Sequence, residues 1–598
     1  MTRRFETTGS PQMFWEVTVA GSAVTVRYGW CSRQGQTHQK PFASPAGAQA
    51  AVEKWVADKV KKGYVEISGT PAPSATDRTA TQRVAKTGAA KTSAAKRSVA
   101  QSGAAPVSAK ELSTVRKLLG HNDAASVRQG IALVIALDNL DLWTVLAAGC
   151  SVSEGKIIVA RGSEVHKRVK AAFRDEVALW ALRGAGRLSS VKELRLRSNS
   201  LTDLTALRSL AALETLRLEH CNALASLDGL QDLPALQSLE LHAFELTGLD
   251  GMHGLPALKW LTLGASLASL EGIQQLTALR SLELYSSELT TLKGLDSLPD
   301  LHTLDLKCGA VARLDGLHTL PALRSLDLSA CESLESLDGI GEFTTLHTLD
   351  LGRCSSLTSL RGLQGLSALQ SLVLRDCKSL TSLEGLPTLA ALTKLDLSGC
   401  TALSRLHGIN ALAALEELNL TGCEALTSLD GLPALTALTK LDLSGCTALT
   451  GLDGLPALTA LTALTELSLS GCSALTNLRG ISALTALGRL DLTGCTALTS
   501  IDDLSGLSAL RSLRLPGCTA LTSLAGLRGL TSLDWLNVES CTALTSLDGI
   551  AALPALSGLN LAKCGIAPMS YRKILRSSEL KALLTHLKTS EQRPAPTP

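Results

Sequence analysis

Eight carboxylates recur at one position of a repeated motif, and together they could form an acidic strip. They are Glu240, Glu283, Asp305, Asp327, Asp350, Asp396, Asp442 and Asp491. If copies of the motif stack as parallel strands, adjacent carboxylates lie about 5 Å apart. At an effective dielectric constant near 20, unit charges at that spacing repel by roughly 3 kcal/mol. Such a strip must be solvated, protonated or met by cations, so one interpretation is a binding site for a basic protein or peptide.

A second interpretation is that duplication copied these carboxylates without selection for a partner. The segment LDLSGCTAL occurs unchanged in two copies, and flanking positions are mostly serine and threonine. The copies at the two ends depart most from the consensus, so we expect partner specificity there. The remaining candidate protein-binding residues are Arg217, Trp260, Tyr285, Arg514 and Trp535.

Cysteine is the other residue type with regular spacing. Twelve of the fifteen cysteines follow the first leucine of a copy by eight residues, from Cys221 to Cys564, and Cys308 is one residue out of step. Stacked thiols would each have two equivalent neighbours and no unique disulfide partner. We therefore interpret them as small buried residues that close a turn. The sequence contains no CxxC pair or histidine cluster, so we expect no metal site and no cofactor.

A repeat of 21 to 23 residues, with one step of 26, positions these residues. It follows the pattern LxxLxLxxC-xx-LxxLxG[L/I], begins at Val191, and restarts at sixteen leucines from Leu213 to Leu556. A fixed period of this length predicts a solenoid. The unit resembles the leucine-rich repeat, which implies an α/β solenoid with parallel strands on a concave face and inward-pointing leucines.

The N-terminal segment predicts a small, separate α+β domain. Alternating residues on both sides of Gly21-Ser22 indicate a hairpin, and Val52 and Val56 fall at helical spacing in a segment that Gly63 ends. The motifs YGWCSRQGQ (28–36), KPF (40–42) and KGY (62–64) resemble the WGR domain. That resemblance implies a twisted sheet with one helix across it.

In poly(ADP-ribose) polymerases such domains contact DNA ends, with the motif's aromatic on a terminal nucleotide and its arginine on phosphate. Here Tyr28 stands for the usual tryptophan, and Trp30 replaces the arginine. Both aromatics could instead be packing residues of a scaffold domain. The candidate nucleic-acid-binding residues are Arg27, Tyr28, Trp30, Arg33, Gln36 and Lys40.

The sequence predicts five segments. We expect a WGR-like domain at 1–67, a disordered basic linker at 68–107, and a HEAT-like helical cap at 108–190. The solenoid of about seventeen repeats follows at 191–565, and a C-terminal helical cap with a disordered tail at 566–598. In the cap, Ser108 and Glu111 have capping-box spacing, and further helices are expected through Leu137, from Asp141 to Ala148 and from Ser163 to Arg183. The segment 571–588 predicts an amphipathic helix.

Charge is distributed unevenly along the chain. The net charge is +3, but residues 1–110 carry +10 and the remainder −7. A basic front suggests an anionic partner there and a different partner behind. Neither a secretory signal nor a run of 18 apolar residues is visible, so we expect a cytoplasmic protein that does not enter a membrane.

The sequence contains no catalytic motif of the common hydrolases, metalloproteases or nucleotide-binding enzymes. We therefore expect a non-enzymatic scaffold or adaptor that binds a protein on the concave face. The alternative is a nucleic-acid-associated regulator that uses the WGR-like domain and the basic linker to bind DNA or RNA. The partner's identity and the oligomeric state do not follow from the sequence.

Overall fold

The chain divides into two compact units, residues 1–101 and 102–598. The computed structural model describes the following residues of the first unit: 2–7, 13–20, 23–30, 36–41, 44, 52, 56 and 64–66. In the second unit it describes 574–576, 579–585 and 108–564, the last with gaps at 138, 162, 209, 318–319, 410–411 and 453–459. The predicted basic linker lies outside the described residues.

The first unit contains a five-stranded antiparallel sheet in the order β4-β3-β2-β1-β5. Its strands are β1 (Thr2–Thr7), β2 (Met13–Ala20), β3 (Ala23–Trp30), β4 (Gln36–Pro41) and β5 (Tyr64–Glu66). The hairpin predicted at Gly21-Ser22 is present, because β2 and β3 pair up to Ala20 opposite Ala23. Val52 and Val56 are helical and buried, as their spacing indicates.

Helices begin the second unit: α1 (Ala109–Leu119), α2 (Ala124–Leu137), α3 (Leu140–Ala147), α4 (Glu164–Arg168) and α5 (Arg174–Gly184). The predicted capping box forms at α1, where the Ser108 hydroxyl accepts from the Glu111 amide and the Glu111 carboxylate accepts from the Ser108 amide. Among the described residues, every helix is too short or too polar to cross a bilayer.

The single helix predicted from Ser163 to Arg183 is wrong. Val169 and Lys170 are extended, and a 3₁₀ turn at Ala171–Phe173 precedes α5. Val169 and Phe173 are both buried, so the chain changes direction to place these side chains in the core.

A β-hairpin that was not predicted from the sequence lies between α3 and α4. Strands β6 (Cys150–Ser153) and β7 (Lys156–Val159) join through Glu154 and Gly155, which both have positive φ. Strand β7 pairs in parallel with the first strand of the repeat, at Lys156 and Arg195. A hairpin therefore helps to cover the first coil, where we had expected helices alone.

Within the part of the chain that the structure describes, seventeen parallel strands follow in order, each paired with the next, and the expected leucine-rich-repeat solenoid is confirmed. They are β8 (Glu193–Arg197), β9 (Thr215–Glu219), β10 (Ser238–Ala243), β11 (Trp260–Ala265), β12 (Ser281–Tyr285), β13 (Thr303–Lys307), β14 (Ser325–Asp327), β15 (Thr348–Asp350), β16 (Ser371–Val373), β17 (Lys394–Asp396), β18 (Glu417–Asn419), β19 (Lys440–Asp442), β20 (Glu466–Ser468), β21 (Arg489–Asp491), β22 (Ser512–Arg514), β23 (Trp535–Asn537) and β24 (Gly558–Asn560).

The C-terminal end differs from the predicted amphipathic helix over 571–588. Strand β25 (Ile574–Arg576) pairs antiparallel with β24, and helical structure is described only over 579–585. The antiparallel strand satisfies the free edge of β24, which would otherwise expose unpaired backbone groups.

Leucines and cysteines form the core of the solenoid. Strand residues alternate between half-buried and fully buried, and the buried positions are leucines. The fourteen described cysteines are buried free thiols. Most thiols of the repeat donate to a backbone carbonyl of the preceding copy, as Cys400 does to Leu374 O at 3.1 Å. Burial raises the pKa of Cys400 to about 12, so the thiol stays protonated and serves as a packing group.

Strands β8 to β13 have five or six residues, whereas β14 to β24 have three. In most of the short strands, the third residue is Asp or Asn and its side chain accepts a hydrogen bond from the amide two residues later. Asp327 accepts from Ser329 N at 2.7 Å, and Asp442 accepts from Ser444 N at 2.9 Å. Asn419 makes the same bond to Thr421 N at 3.0 Å. This Asx turn ends the strand and begins the bend that leads to the cysteine.

We expect the turn to need an acceptor oxygen and no charge. Asp442→Asn retains the acceptor, so its free energy of unfolding should stay within about 0.5 kcal/mol of the unaltered protein. Asp442→Ala leaves the Ser444 amide without its partner and should lose roughly 1 kcal/mol. Urea denaturation followed by circular dichroism measures both changes, and an Asn variant as unstable as the Ala variant would contradict the turn's role.

Candidate functional site

The side of the solenoid sheet away from the buried leucines is its solvent face, the face the repeat predicts to be concave. Three rows of side chains run along it across the strands. The first row contains the first residue of each strand, and the central row contains the third. A third row, the fifth residue of each strand, exists only in β8 to β13 because later strands are shorter.

The structure brings the sequence-predicted protein-binding residues onto this face. The central row contains Arg217, Glu240, Glu283, Asp305, Asp327, Asp350, Asp396, Asp442, Asp491 and Arg514. Trp260 and Trp535 lie in the first row, and Tyr285 lies in the third row. Their alignment follows from strand register, whereas their role in binding stays a prediction.

Every carboxylate of the predicted strip has a partner within the solenoid. Glu240 lies 3.7 Å from the Arg217 guanidinium, and Glu283 accepts from Thr262 Oγ1 at 3.1 Å. Asp305 pairs with Lys307 Nζ at 2.8 Å. The five later aspartates form Asx turns. The strip is therefore partly a consequence of strand-ending turns, a role that neither sequence interpretation included.

Residual electrostatic strain concentrates at β13 to β15, where three aspartates occupy adjacent strands. Burial raises the pKa of Asp305 and of Asp350, and the Asp327 carboxylate contributes to both shifts. Asp305 Oδ1 is a buried acceptor without a hydrogen-bond partner among the described residues. A cation bound beside this part of the central row would therefore lower the electrostatic free energy of these three aspartates.

The first row of β17 to β21 alternates in charge, a feature that was not predicted from the sequence. Glu417 lies 3.2 Å from Lys394 and 3.5 Å from Lys440, and Arg489 lies 2.9 Å from Glu466. The central row alternates in step, since strands that begin with a base end with Asp and those that begin with Glu end with Asn or Ser. The signal was present as a two-copy period in the sequence, as in TKLD, EELN and TKLD.

A groove of ≈ 560 Å³ lies over this alternating segment, between β18 and β22. Its acidic and basic side chains largely pair with one another, and Arg514 lies 3.4 Å from the Asp491 carboxylate. Because these charges already have partners, the groove offers few unsatisfied groups to a ligand.

Residues that immediately precede the strands form an edge row, which is basic beside β11 to β15. It contains Lys259, Arg280, His302, Arg324 and His347. Arg280 and Arg324 are exposed, and neither forms an ion pair with another described residue. His302 Nδ1 lies 2.6 Å from Asp300 O, and His347 Nδ1 lies 2.6 Å from Thr345 O, which orients both rings. This row was not predicted from the sequence.

The aromatic candidates differ in accessibility. The Trp260 residue is 49% exposed, and the Lys259 ammonium lies 5.8 Å from its ring centroid. The Tyr285 hydroxyl donates a hydrogen bond to the Glu283 carboxylate, and the Lys307 ammonium lies 5.0 Å from the centroid of the Tyr285 ring. The ring of Trp535 occupies the space beside Gly558, where a Cβ would meet it at 2.2 Å. Trp260 is therefore the accessible anchor of the three.

Phe244, directly after β10, was not among the predicted site residues, and this residue is 58% exposed. It occupies the position that the consensus gives to cysteine. That departure from the consensus was the feature of the sequence from which an unusual exposed residue could have been predicted.

The predicted nucleic-acid-binding residues fall on β3 and β4, apart from Arg33, which lies outside the described residues. Tyr28 is the register partner of Gln36, and Arg27 and Trp30 belong to the same strand as Tyr28. Lys40 lies on β4 opposite Val24. Backbone position is therefore established for Arg27, Tyr28, Trp30, Gln36 and Lys40, and their contribution to binding stays a prediction.

Within the described residues, no group of three or more His, Cys, Asp or Glu side chains is placed to hold a metal ion. Most described cysteines of the repeat are also unsuited to nucleophilic chemistry, because the thiolate is the reactive form and burial disfavours it. Burial raises the pKa of Cys446 and of Cys495 to about 12.

Comparisons with known proteins agree with the two kinds of structure. Residues 1–71 match the WGR domain, residues 189–232 match leucine-rich repeats (2 copies), and residues 473–552 match the leucine-rich-repeat domain of the endo-beta-N-acetylglucosaminidase EndoS. No curated protein matches the chain.

Among solved structures, a leucine-rich-repeat protein of Leptospira interrogans is 25% identical, with a TM-score of 0.46 over 67% of this chain and 95% of its own. An internalin (inlF) of Listeria monocytogenes is 20% identical, with a TM-score of 0.38 over 54% of this chain and 85% of its own. The family matches and the strand register show a WGR domain over residues 1–71 and leucine-rich repeats in the part of the chain that follows.

Proposed function

We propose that the protein is a non-enzymatic scaffold that binds a protein partner on the solvent face of β9 to β15. The supporting observation is the exposed Trp260 among charged side chains on the widest part of this face. Strands β9, β10, β12 and β13 present three rows of side chains. Strand β11 lacks the third because its fifth residue is Gly264, and later strands present two rows. An aromatic anchor surrounded by polar groups is typical of binding hot spots.

The later part of the solenoid is a weaker candidate for the same role. Lys394, Glu417 and Lys440 pair among themselves, as do Glu466 and Arg489. A partner that binds there must break these ion pairs, so its own contacts must offset the free energy that the broken pairs contributed. Fewer of the charged side chains near Trp260 are already ion-paired. Arg280 and Arg324 are exposed and form no ion pair among the described residues.

A binding role fits the described side chains better than catalysis does. Most carboxylates of the central row accept hydrogen bonds from their own chain, and burial keeps most of the described thiols protonated. General acid–base or nucleophilic chemistry needs a group that can reach a substrate and change its protonation state. We also propose a cytoplasmic location, because free thiols such as those of the described cysteines persist in a reducing compartment.

Replacement of the anchor tests this proposal. Full-length protein carrying Trp260→Ala should recover at least about tenfold less of its partner from a lysate of the source cells, because a hot-spot aromatic contributes 2 kcal/mol or more. The unaltered protein and Trp535→Ala provide the comparison, measured by quantitative mass spectrometry of the captured proteins. Capture that is equal for all three proteins would contradict the placement of the site.

A second candidate function is nucleic-acid binding by the N-terminal unit, supported by the WGR match and by the charge of +10 over residues 1–110. Stacking on Tyr28 and Trp30 with nearby basic residues would suit DNA ends or single strands.

Fluorescence anisotropy with labelled duplex, nicked and single-stranded DNA tests this second function. We expect the full chain to bind with an affinity that falls as salt rises, and Arg27→Ala with Lys40→Ala to weaken binding and to reduce the salt dependence. Anisotropy that stays flat at low salt for all three DNAs would remove the second candidate.

A further inference from the structure

Strands β12 to β15 repeat a two-strand pattern that places a basic and an acidic row side by side. Including the edge residue, the four segments read RSLE, HTLD, RSLD and HTLD, beginning at residues 280, 302, 324 and 347. Strand pairing places the corresponding residues in register, so Glu283, Asp305, Asp327 and Asp350 align in the central row. The basic residues Arg280, His302, Arg324 and His347 align in the edge row.

Only small side chains separate the two charged rows. They are Ser281, Thr303, Ser325 and Thr348, and they bond to each other in pairs across the strands. Thr303 Oγ1 donates to Ser281 Oγ at 2.7 Å, and Thr348 Oγ1 donates to Ser325 Oγ at 2.7 Å. This hydroxyl floor leaves the space between the charged rows clear.

Side chains of the edge row can reach over the solvent face. The ammonium of Lys259, the preceding member of the row, lies over the ring of Trp260 in the first row. The edge-row residues of neighbouring strands also reach one another, since Lys192 Nζ lies 2.7 Å from Glu214 Oε1. A ligand on the hydroxyl floor would therefore meet basic groups on one side and carboxylates on the other.

From this arrangement we propose that β12 to β15 bind an α-helix of the partner, laid across the strands, with acidic residues on the side of Arg280 and Arg324 and basic residues on the side of Asp305, Asp327 and Asp350. The proposal rests on the proposed function and names the partner's chemistry. Charge complementarity on both sides fixes the rotation of the helix about its own axis.

Dimensions favour a helix over an extended segment. Adjacent parallel strands lie about 4.8 Å apart, so the four strands span about 14 Å. Three helical turns span about 16 Å, whereas three same-side steps of an extended chain span about 20 Å. The two charged rows are three residues apart along each strand, or about 10 Å, which matches a helix diameter of about 10–12 Å.

Synthetic helix-stabilised peptides provide the test. The two-sided peptide carries Glu at positions i, i+4, i+7 and i+11 and Lys on the opposite side, and the mixed peptide has the same composition with both charges on each side. By isothermal titration calorimetry against the full chain at low salt, we expect the two-sided peptide to bind at least about tenfold more tightly, because several ion pairs form on both sides at once. Equal affinities would overturn the proposal.

Charge reversal of each row gives a sharper outcome. The double variant Arg280→Glu with Arg324→Glu should no longer bind the two-sided peptide. The double variant Asp327→Arg with Asp350→Arg should not bind it either. The variant with all four changes should bind again, because a helix turned end for end exchanges its two sides. A fourfold variant that folds but stays unable to bind would overturn the proposal. Arg514 occupies the same central-row position naturally, so arginine is compatible with the short strands.

Neutral variants test the effect of charge while they keep the hydrogen bonds of the strand-ending turns. Asp327→Asn with Asp350→Asn keeps the Asx turns and should weaken peptide binding several-fold. The matched control is Asp442→Asn with Asp491→Asn, which removes the same charge from similar turns in the alternating segment and should leave binding unchanged. Equal weakening by both pairs would show a nonspecific charge effect and overturn the proposed site. The Trp260→Ala capture experiment separates the two proposals, since dependence on Trp260 without peptide discrimination refutes only the helix.

Discussion

The parallel register between successive copies of the repeat is the constraint on which the rest of the structure depends. Each strand forms backbone hydrogen bonds with the next, with leucine opposite leucine. Most cysteine thiols of the repeat also donate a hydrogen bond to a backbone carbonyl of the preceding copy. Because register is fixed by buried side chains, a slip by one residue would bury the polar rows. The same register converts the sequence period into straight rows of charge on the solvent face.

The aspartates of the central row show how one residue can satisfy two demands. One carboxylate oxygen of Asp396 accepts from the Ser398 amide at 2.9 Å and ends the strand. The side chain also adds charge to the solvent face, which the turn does not require, because Asn419 makes the equivalent bond. Charge at these positions can therefore vary without loss of the fold, and its distribution along the solenoid is free to serve binding.

Leucine spacing was sufficient to predict the solenoid, since burial of one residue type at a fixed period leaves few alternatives. Capping-box spacing likewise located α1. The hairpin at β6 and β7 was missed because residues 108–190 were expected to form a helical cap, and no strand was predicted between its helices, although Glu154 and Gly155 form a turn with positive φ. The pairing of Glu417 with Lys394 and Lys440 was missed for another reason. These residues are 23 positions apart, so their contact depends on register between copies and not on local pattern.

The two charge patterns on the solvent face divide the solenoid into regions with different prospects for binding. Ion pairs within β17 to β21 satisfy most of the charges there, whereas β11 to β15 combine an exposed tryptophan with separated basic and acidic rows. Hydrogen–deuterium exchange of the full chain, with and without the partner captured from source cells, tests this division most directly. We predict that added protection falls on residues 259–350, and protection confined to residues 394–514 would contradict it.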